Sequence, residues 1–342
     1  MEPDDNVDGW SGAPEVNDTD VYRVILFMAA ILALGVIVSI HTIEFRPAPA
    51  YEQHPDPSPL GYTYSLALFA FPFAALLAWT VKRRLLRHLR AARLTVGLLL
   101  PLWSLLDIVL GNTFFRFPVR SATLGLDIWG YVPGRGFERS IPVEEFLFYF
   151  GGCAVLILLY IWSSEEWYSR YSIPPGEFTK RAQAAPALVR VSGLTLVVGV
   201  AVFLLALSYK KLGPHDYHEG FPGYFLILIA LVALPSAALF RQVRGFINGR
   251  AFLFTMLVVS LVSLLWEVTL ALPYGWWDYR EAQMIGIFVE PWSRLPVEAC
   301  MLWVAAGWAE IFIYEAFKIY VHSGKTLIRV LFGDRRTATA AQ

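Results

Sequence analysis

The sequence predicts an all-α polytopic membrane protein of about eight transmembrane helices. Three observations carry this. Hydrophobic residues make up 56% of the chain and charged residues only 16%, against about 25% charged in an ordinary soluble domain. Eight apolar stretches, at 22–42, 61–81, 94–114, 142–163, 187–208, 222–240, 251–272 and 296–320, approach or reach the roughly 20 residues that cross a hydrocarbon core of about 30 Å. Basic residues gather in alternate connections, as the positive-inside rule requires.

Taken in order, residues 1–21 form an acidic tail with Asp4, Asp5, Asp8, Glu15, Asp18 and Asp20. It lacks the basic region and cleavage site of a secretory signal, so the first helix is expected to stay as an anchor. After the second helix comes KRRLLRHLRAAR, from Lys82 to Arg93. Arg170, Lys180 and Arg181 follow the fourth helix, and Arg241, Arg244 and Arg250 the sixth. The basic C-terminal tail, 323–342, carries Lys325, Arg329, Arg335 and Arg336. Eight crossings put these segments on one side, with both termini cytoplasmic and the chain in the cytoplasmic (inner) membrane. An opposite loop still holds Arg116, Arg120, Arg135 and Arg139.

The two halves share an order of residues. The first reads Asp107, Trp129-Gly-Tyr131, Pro142-Val143-Glu144-Glu145; the second reads Glu267, Trp277-Asp-Tyr279, Pro296-Val297-Glu298-Ala299. Sixteen residues beyond Glu144 and Glu298 stand Tyr160 and Tyr314. Repeat 1 is expected over 22–181 and repeat 2 over 182–322, each of four helices. An even number keeps the copies parallel about an axis along the membrane normal.

Carboxylates in apolar helices cost about 2.5–3.5 kcal/mol at the bilayer centre, which makes them functional candidates. Asp107, Glu144, Glu145, Glu267, Glu298, Glu310 and Glu315 all fall within or beside such helices. The plain alternative differs for each. Pro142 and Pro296 suit a first helical position, and Glu144 and Glu298 would then meet the positive end of the helix dipole. Asp107 and Glu267 could be polar packing between helices. Glu315 precedes Lys318 by three residues, where an ion pair suffices. The pairing of Glu144 with Glu145 favours chemistry, because adjacent carboxyls repel as charges and one tends to keep its proton. An acid beside a base is the equipment of proton transfer.

Trp103, Trp129, Trp266, Trp277 and Trp292 cluster near these acids. Interfacial anchoring is the plain reading; stabilising a cation with an aromatic face is the functional one. No dinucleotide or nucleotide fingerprint occurs, so no cofactor is expected. Cys153 and Cys300 lie in apolar runs without metal-ligand spacing, and His215 and His218 lack a further ligand, so no metal is expected. Equal basic and acidic counts, 28 and 28, argue against nucleic acid as a partner.

The run from Pro142 to Phe150, with its partial copy at Pro296, resembles the PxEE motif of membrane-integral lycopene cyclases, the heterodimeric or fused carotenoid cyclases. The similarity is concentrated in 103–160 and 263–320. Ala299, in place of a second carboxylate, and the longer spacing from Asp107 to Trp129 depart from the pattern. The resemblance implies an intramolecular lyase or isomerase of carotenoid biosynthesis that closes the ends of lycopene or a related linear carotene without net redox. It implies Glu144 and Glu145 as the acid/base pair, Glu298 as their match, and Asp107 and Glu267 as supporting or alternative donors. Trp129, Tyr131, Trp277, Tyr279, Pro142 and Pro296 are the implied substrate-binding residues. The implied partners are a carotenoid within the bilayer, membrane lipid and other enzymes of that pathway. The rival readings are a proton-coupled transporter and a non-catalytic carotenoid- or lipid-binding membrane protein.

Overall fold

The computed structural model describes residues 59–190, 193–214 and 218–333. The acidic tail, the first expected span at 22–42, His215, Arg335 and Arg336 lie outside the described residues. The other seven apolar runs form helices long and apolar enough to cross a membrane: α1 (Gly61–Lys82), α2 (Leu86–Phe114), α3 (Val143–Trp167), α4 (Gly193–Leu212), α5 (Gly223–Val243), α6 (Gly249–Ala271) and α7 (Val297–Ser323). Their apolar character does not alternate with a polar face, and α4 exposes Leu194, Val197, Val200, Leu204 and Leu205. A helix that is apolar all round needs an apolar surrounding. α7 is central and packs against α2, α3, α5 and α6.

Short strands, which the apolar pattern does not foretell, join the helices at one end. β1 (Phe115–Arg116) pairs antiparallel with β4 (Asp278–Tyr279), Phe115 opposite Tyr279. β2 (Asp127–Val132) and β3 (Gly136–Pro142) form a hairpin ahead of α3. β5 (Phe288–Val289) and β6 (Leu295–Pro296) form a smaller one ahead of α7. Each of β3 and β6 ends on a proline, which stands just outside the helix; Val143 and Val297 are the first helical residues. The sequence expectation placed these prolines one position further in. Glu144 and Glu298 are therefore second in their helices.

At the other end, Asn248 starts α6. Its Oδ1 accepts from the Ala251 amide at 3.2 Å, and its Nδ2 donates to the Tyr168 carbonyl at 2.8 Å and to Ser172 Oγ at 2.9 Å. One side chain thus caps a helix and ties it to the segment after α3. Loss of an N-cap costs about 0.5–2 kcal/mol. Asn248→Ala is expected to lower the thermal midpoint in detergent without changing helix content, as read by circular dichroism.

Candidate functional site

The bundle encloses a cavity of about 340 Å³. Its wall is overwhelmingly apolar, and four carboxyl side chains reach it: Asp107 from α2, Glu145 from α3, Glu267 from α6 and Glu310 from α7. Because the helices alternate in direction, the end of α2, the start of α3, the end of α6 and the start of α7 meet at one end of the bundle. That topology brings Asp107, Glu145 and Glu267 together.

Glu145 and Asp107 share a phenol. The Tyr149 phenol stands beside both carboxyls. Tyr149 follows Glu145 by one helical turn, so the two side chains share a face of α3. The Tyr62 hydroxyl donates to Glu145 Oε1 at 2.7 Å. Asp107 Oδ2 is buried without a hydrogen-bond partner among the described residues. Gly111, one turn on, makes room for this carboxyl: a Cβ there would stand 2.3 Å from Asp107 Oδ1. Gly111→Ala is expected to turn the acid out of place while leaving it present. Misplacement of about 1 Å can cost a catalytic group about 10²-fold in rate, so any chemistry at this acid should suffer while thermal stability changes little.

Glu267 is held differently. Tyr279 donates to Oε1 and the Trp303 indole donates to Oε2 at 3.0 Å, with Trp277 beside them. Burial raises the Tyr279 phenol well above its ordinary value, which keeps it a donor. Glu267 opens a π-helical turn at the end of α6, Glu267–Ala271. Such turns occur often at functional sites.

Glu144 and Glu298 do not reach the cavity. Successive helical residues point about 100° apart, so Glu144 turns away from the face that carries Glu145. Glu144 Oε1 accepts from the Leu124 amide at 2.7 Å and from Thr63 Oγ1 at 2.6 Å. Glu298 Oε1 accepts from the Ile285 amide. Both acids fasten the incoming loop to the helix start, which was the plain alternative. The next link repeats too: the Val143 amide donates to the Leu126 carbonyl at 2.9 Å and the Val297 amide to the Ile287 carbonyl at 3.0 Å. The glycines between, Gly125 and Gly286, have φ of 72° and 102°, a region that favours glycine.

Trp277 and Tyr279 line the cavity, but Trp129 and Tyr131 do not. The latter two lie on β2 and are 55% and 40% exposed. Alternation along the strand turns both outward on the hairpin. Pro142 and Pro296 also lie outside the lining and serve as helix starts. Phe148, Tyr149, Tyr224 and Trp303 line the cavity and were not expected to do so. Tyr149 and Trp303 stand five residues beyond Glu144 and Glu298, a spacing that could have drawn them out. Glu310, outside the expected set of site residues, lies beside the Cys153 thiol on the cavity wall. Among the described residues no group of His, Cys, Asp and Glu could hold a metal ion. No family model, curated protein or solved structure matches the chain.

Proposed function

We propose that the chain is an intramembrane carotenoid cyclase that closes the end of lycopene or a related linear carotene by proton-initiated chemistry. The observation that carries this reading is an apolar cavity holding the Asp107–Tyr149–Glu145 group beside Glu267 and aromatic rings. A hydrocarbon offers no hydrogen bonds, so it is held by shape and apolar contact. One carboxyl of the Asp107/Glu145 pair gives a proton to the terminal double bond, leaving a tertiary carbocation. The neighbouring double bond attacks it, and a six-membered ring closes. A carboxylate then takes a proton from the ring, so the product is an isomer of the substrate. Tyr149, beside both carboxyls, passes the proton back as it gives up its own. Glu267, held by Tyr279 and Trp303, presents negative charge to the cation. Trp277, Trp303 and Phe148 offer ring faces and edges for the same purpose.

The proposal includes two parallel repeats. Support comes from the matched links Glu144–Leu124 and Glu298–Ile285 and from the matched positions of Tyr149 with Trp303 and Tyr160 with Tyr314. Trp129-Gly-Tyr131 lies on a hairpin away from the cavity wall, whereas Trp277 and Tyr279 line it. Tyr279 pairs with Phe115, which follows α2 as Tyr279 follows α6. Glu145 is answered by Ala299, so the chemistry is assigned to the first half's acids, with Glu267 lent by the second. Both termini are assigned to the cytoplasm, with the acids toward the opposite face.

Expression in a lycopene-accumulating bacterium tests the reading. The red pigment should turn yellow or orange; pigment that stays red beside inserted protein supports a carrier or binding protein instead.

A further inference from the structure

Below the proposed site, α3 and α7 carry polar groups that the ring closure does not use. On α3, Cys153 lies one turn beyond Tyr149, and Tyr160 two turns beyond Cys153. These spacings keep all three near one face. On α7 the facing stripe is Trp303, Gly307, Glu310, Tyr314 and Lys318. The Cys153 thiol lies beside Glu310. Tyr160 Oη donates to Glu315 Oε1 at 2.8 Å, and its ring meets that of Tyr314 edge-on at 5.8 Å. Tyr314 Oη pairs with His88 Nδ1 at 2.8 Å, and His88 Nε2 stands 3.6 Å from Glu165 Oε1. Lys318 Nζ lies 3.8 Å from Glu315.

Two features point to more than packing. Side-chain exposure climbs along the series, from 0% at Glu315 through 12% at Lys318 and 14% at His88 to 27% at Glu165. These groups lie at the end of the bundle that bears the basic segments. Glu310 lies at the other end of the series, 7% exposed and against the cavity. Its Oε2 has no hydrogen-bond partner, and no basic side chain stands beside it among the described residues. An unpaired carboxyl in an apolar seam is costly, and leucine would fill the same space without that cost. On the far side of Glu145 the neighbours are rings: Tyr62 stacks on Trp276 at 5.7 Å and meets Trp277 at 5.5 Å.

We propose that Glu310, with Cys153, the Tyr160–Glu315 pair and the Tyr314–His88–Glu165 series, forms a proton route from the basic end of the bundle to Asp107 and Glu145. This rests on reading those two acids as the proton donor and acceptor of the cavity. Only protons move. One enters at Glu165 or His88, passes through the tyrosine hydroxyls and Glu315 to the Glu310 carboxylate, and crosses past Cys153 to Tyr149 and its two carboxyls. Each tyrosine accepts a proton on its oxygen as it releases its own. Along α7 the rise from Tyr314 to Glu310 is about 6 Å, and from Glu315 to Glu310 about 7.5 Å. Along α3, Glu145 to Cys153 spans about 12 Å.

The test reads the full-length resting protein without substrate, so it can fail while pigment conversion stands, or succeed where conversion fails. Protein in lipid vesicles is switched from H2O to D2O, and the infrared C=O stretch of protonated carboxyls is followed. The cavity band is identified as the one lost in Asp107→Asn or Glu145→Gln. Its exchange should slow by about 10²-fold in Glu310→Gln, the lower end of what a proton-transfer group contributes, and likewise in Glu315→Gln. Glu310→His, which retains a proton carrier, should recover part of the rate and guards against a folding defect in the amide variant. Equal exchange in wild type, Glu310→Gln and Glu315→Gln overturns the route. So does a wild type in which neither Asp107→Asn nor Glu145→Gln removes a protonated-carboxyl band.

Discussion

Glu145→Gln is expected to reduce cyclisation by about 10²–10⁴-fold, the usual contribution of a general acid or base, while the protein still accumulates in the membrane. The amide preserves the shape of the side chain and its bond from Tyr62, so folding should survive. What it removes is the exchangeable carboxyl proton beside the cavity. Glu144→Gln, one residue away, should behave differently. Its amide oxygen can still accept from the Leu124 amide and Thr63 hydroxyl, now 2.7 and 2.6 Å from the carboxylate. Activity per folded protein should stay within about tenfold, or about 1.4 kcal/mol. Turnover of lycopene, normalised to inserted protein, separates the two. Equal losses would return the chemistry to the Glu144–Glu145 pair as a unit.

Glu267 should show a second large effect, split between charge and structure. In Glu267→Gln the amide oxygen can keep an indole N–H, and the Tyr279 hydroxyl can turn to accept from the new NH2 group. The fold should therefore hold, while the negative charge facing the carbocation is gone. Loss of one electrostatic stabiliser commonly costs about 10²–10³ in rate, and that range is the expected fall in turnover. Glu267→Ala strips the partner from Tyr279 and Trp303 together. Each buried donor left unpaired costs about 1–3 kcal/mol, so this variant should lose thermal stability as well. A Glu267→Gln protein of full activity would make Glu267 a packing group only.

Seven of the eight expected spans were legible, because length and apolarity alone decide whether a helix can cross a bilayer; the first lies outside the described residues. The Pro-Val-Glu starts were legible because proline and an acid belong at a helix N-terminus. The division of labour between Glu144 and Glu145 was not, since adjacent residues face different neighbours and only the packing of α1, α2 and α7 around α3 decides which side is the cavity. Trp129 and Tyr131 stand outside the cavity for a related reason: their alternation belongs to a hairpin, while Tyr279 lies opposite Phe115. Leu124-Gly125-Leu126 and Ile285-Gly286-Ile287 were readable as a repeat, yet their meaning lies in backbone amides that the letters do not display. Glu310 carried no motif. Its place beside Cys153 follows from the seam between α3 and α7.

The most direct measurement is conversion of lycopene by the purified protein in liposomes, with no nucleotide, flavin or metal added. The expected product has the mass of the substrate, a shortened chromophore and at least one ring, and it disappears with Glu145→Gln. Lycopene recovered unchanged from correctly folded wild-type protein, or conversion that strictly requires a flavin or nicotinamide, would contradict proton-initiated cyclisation at this site.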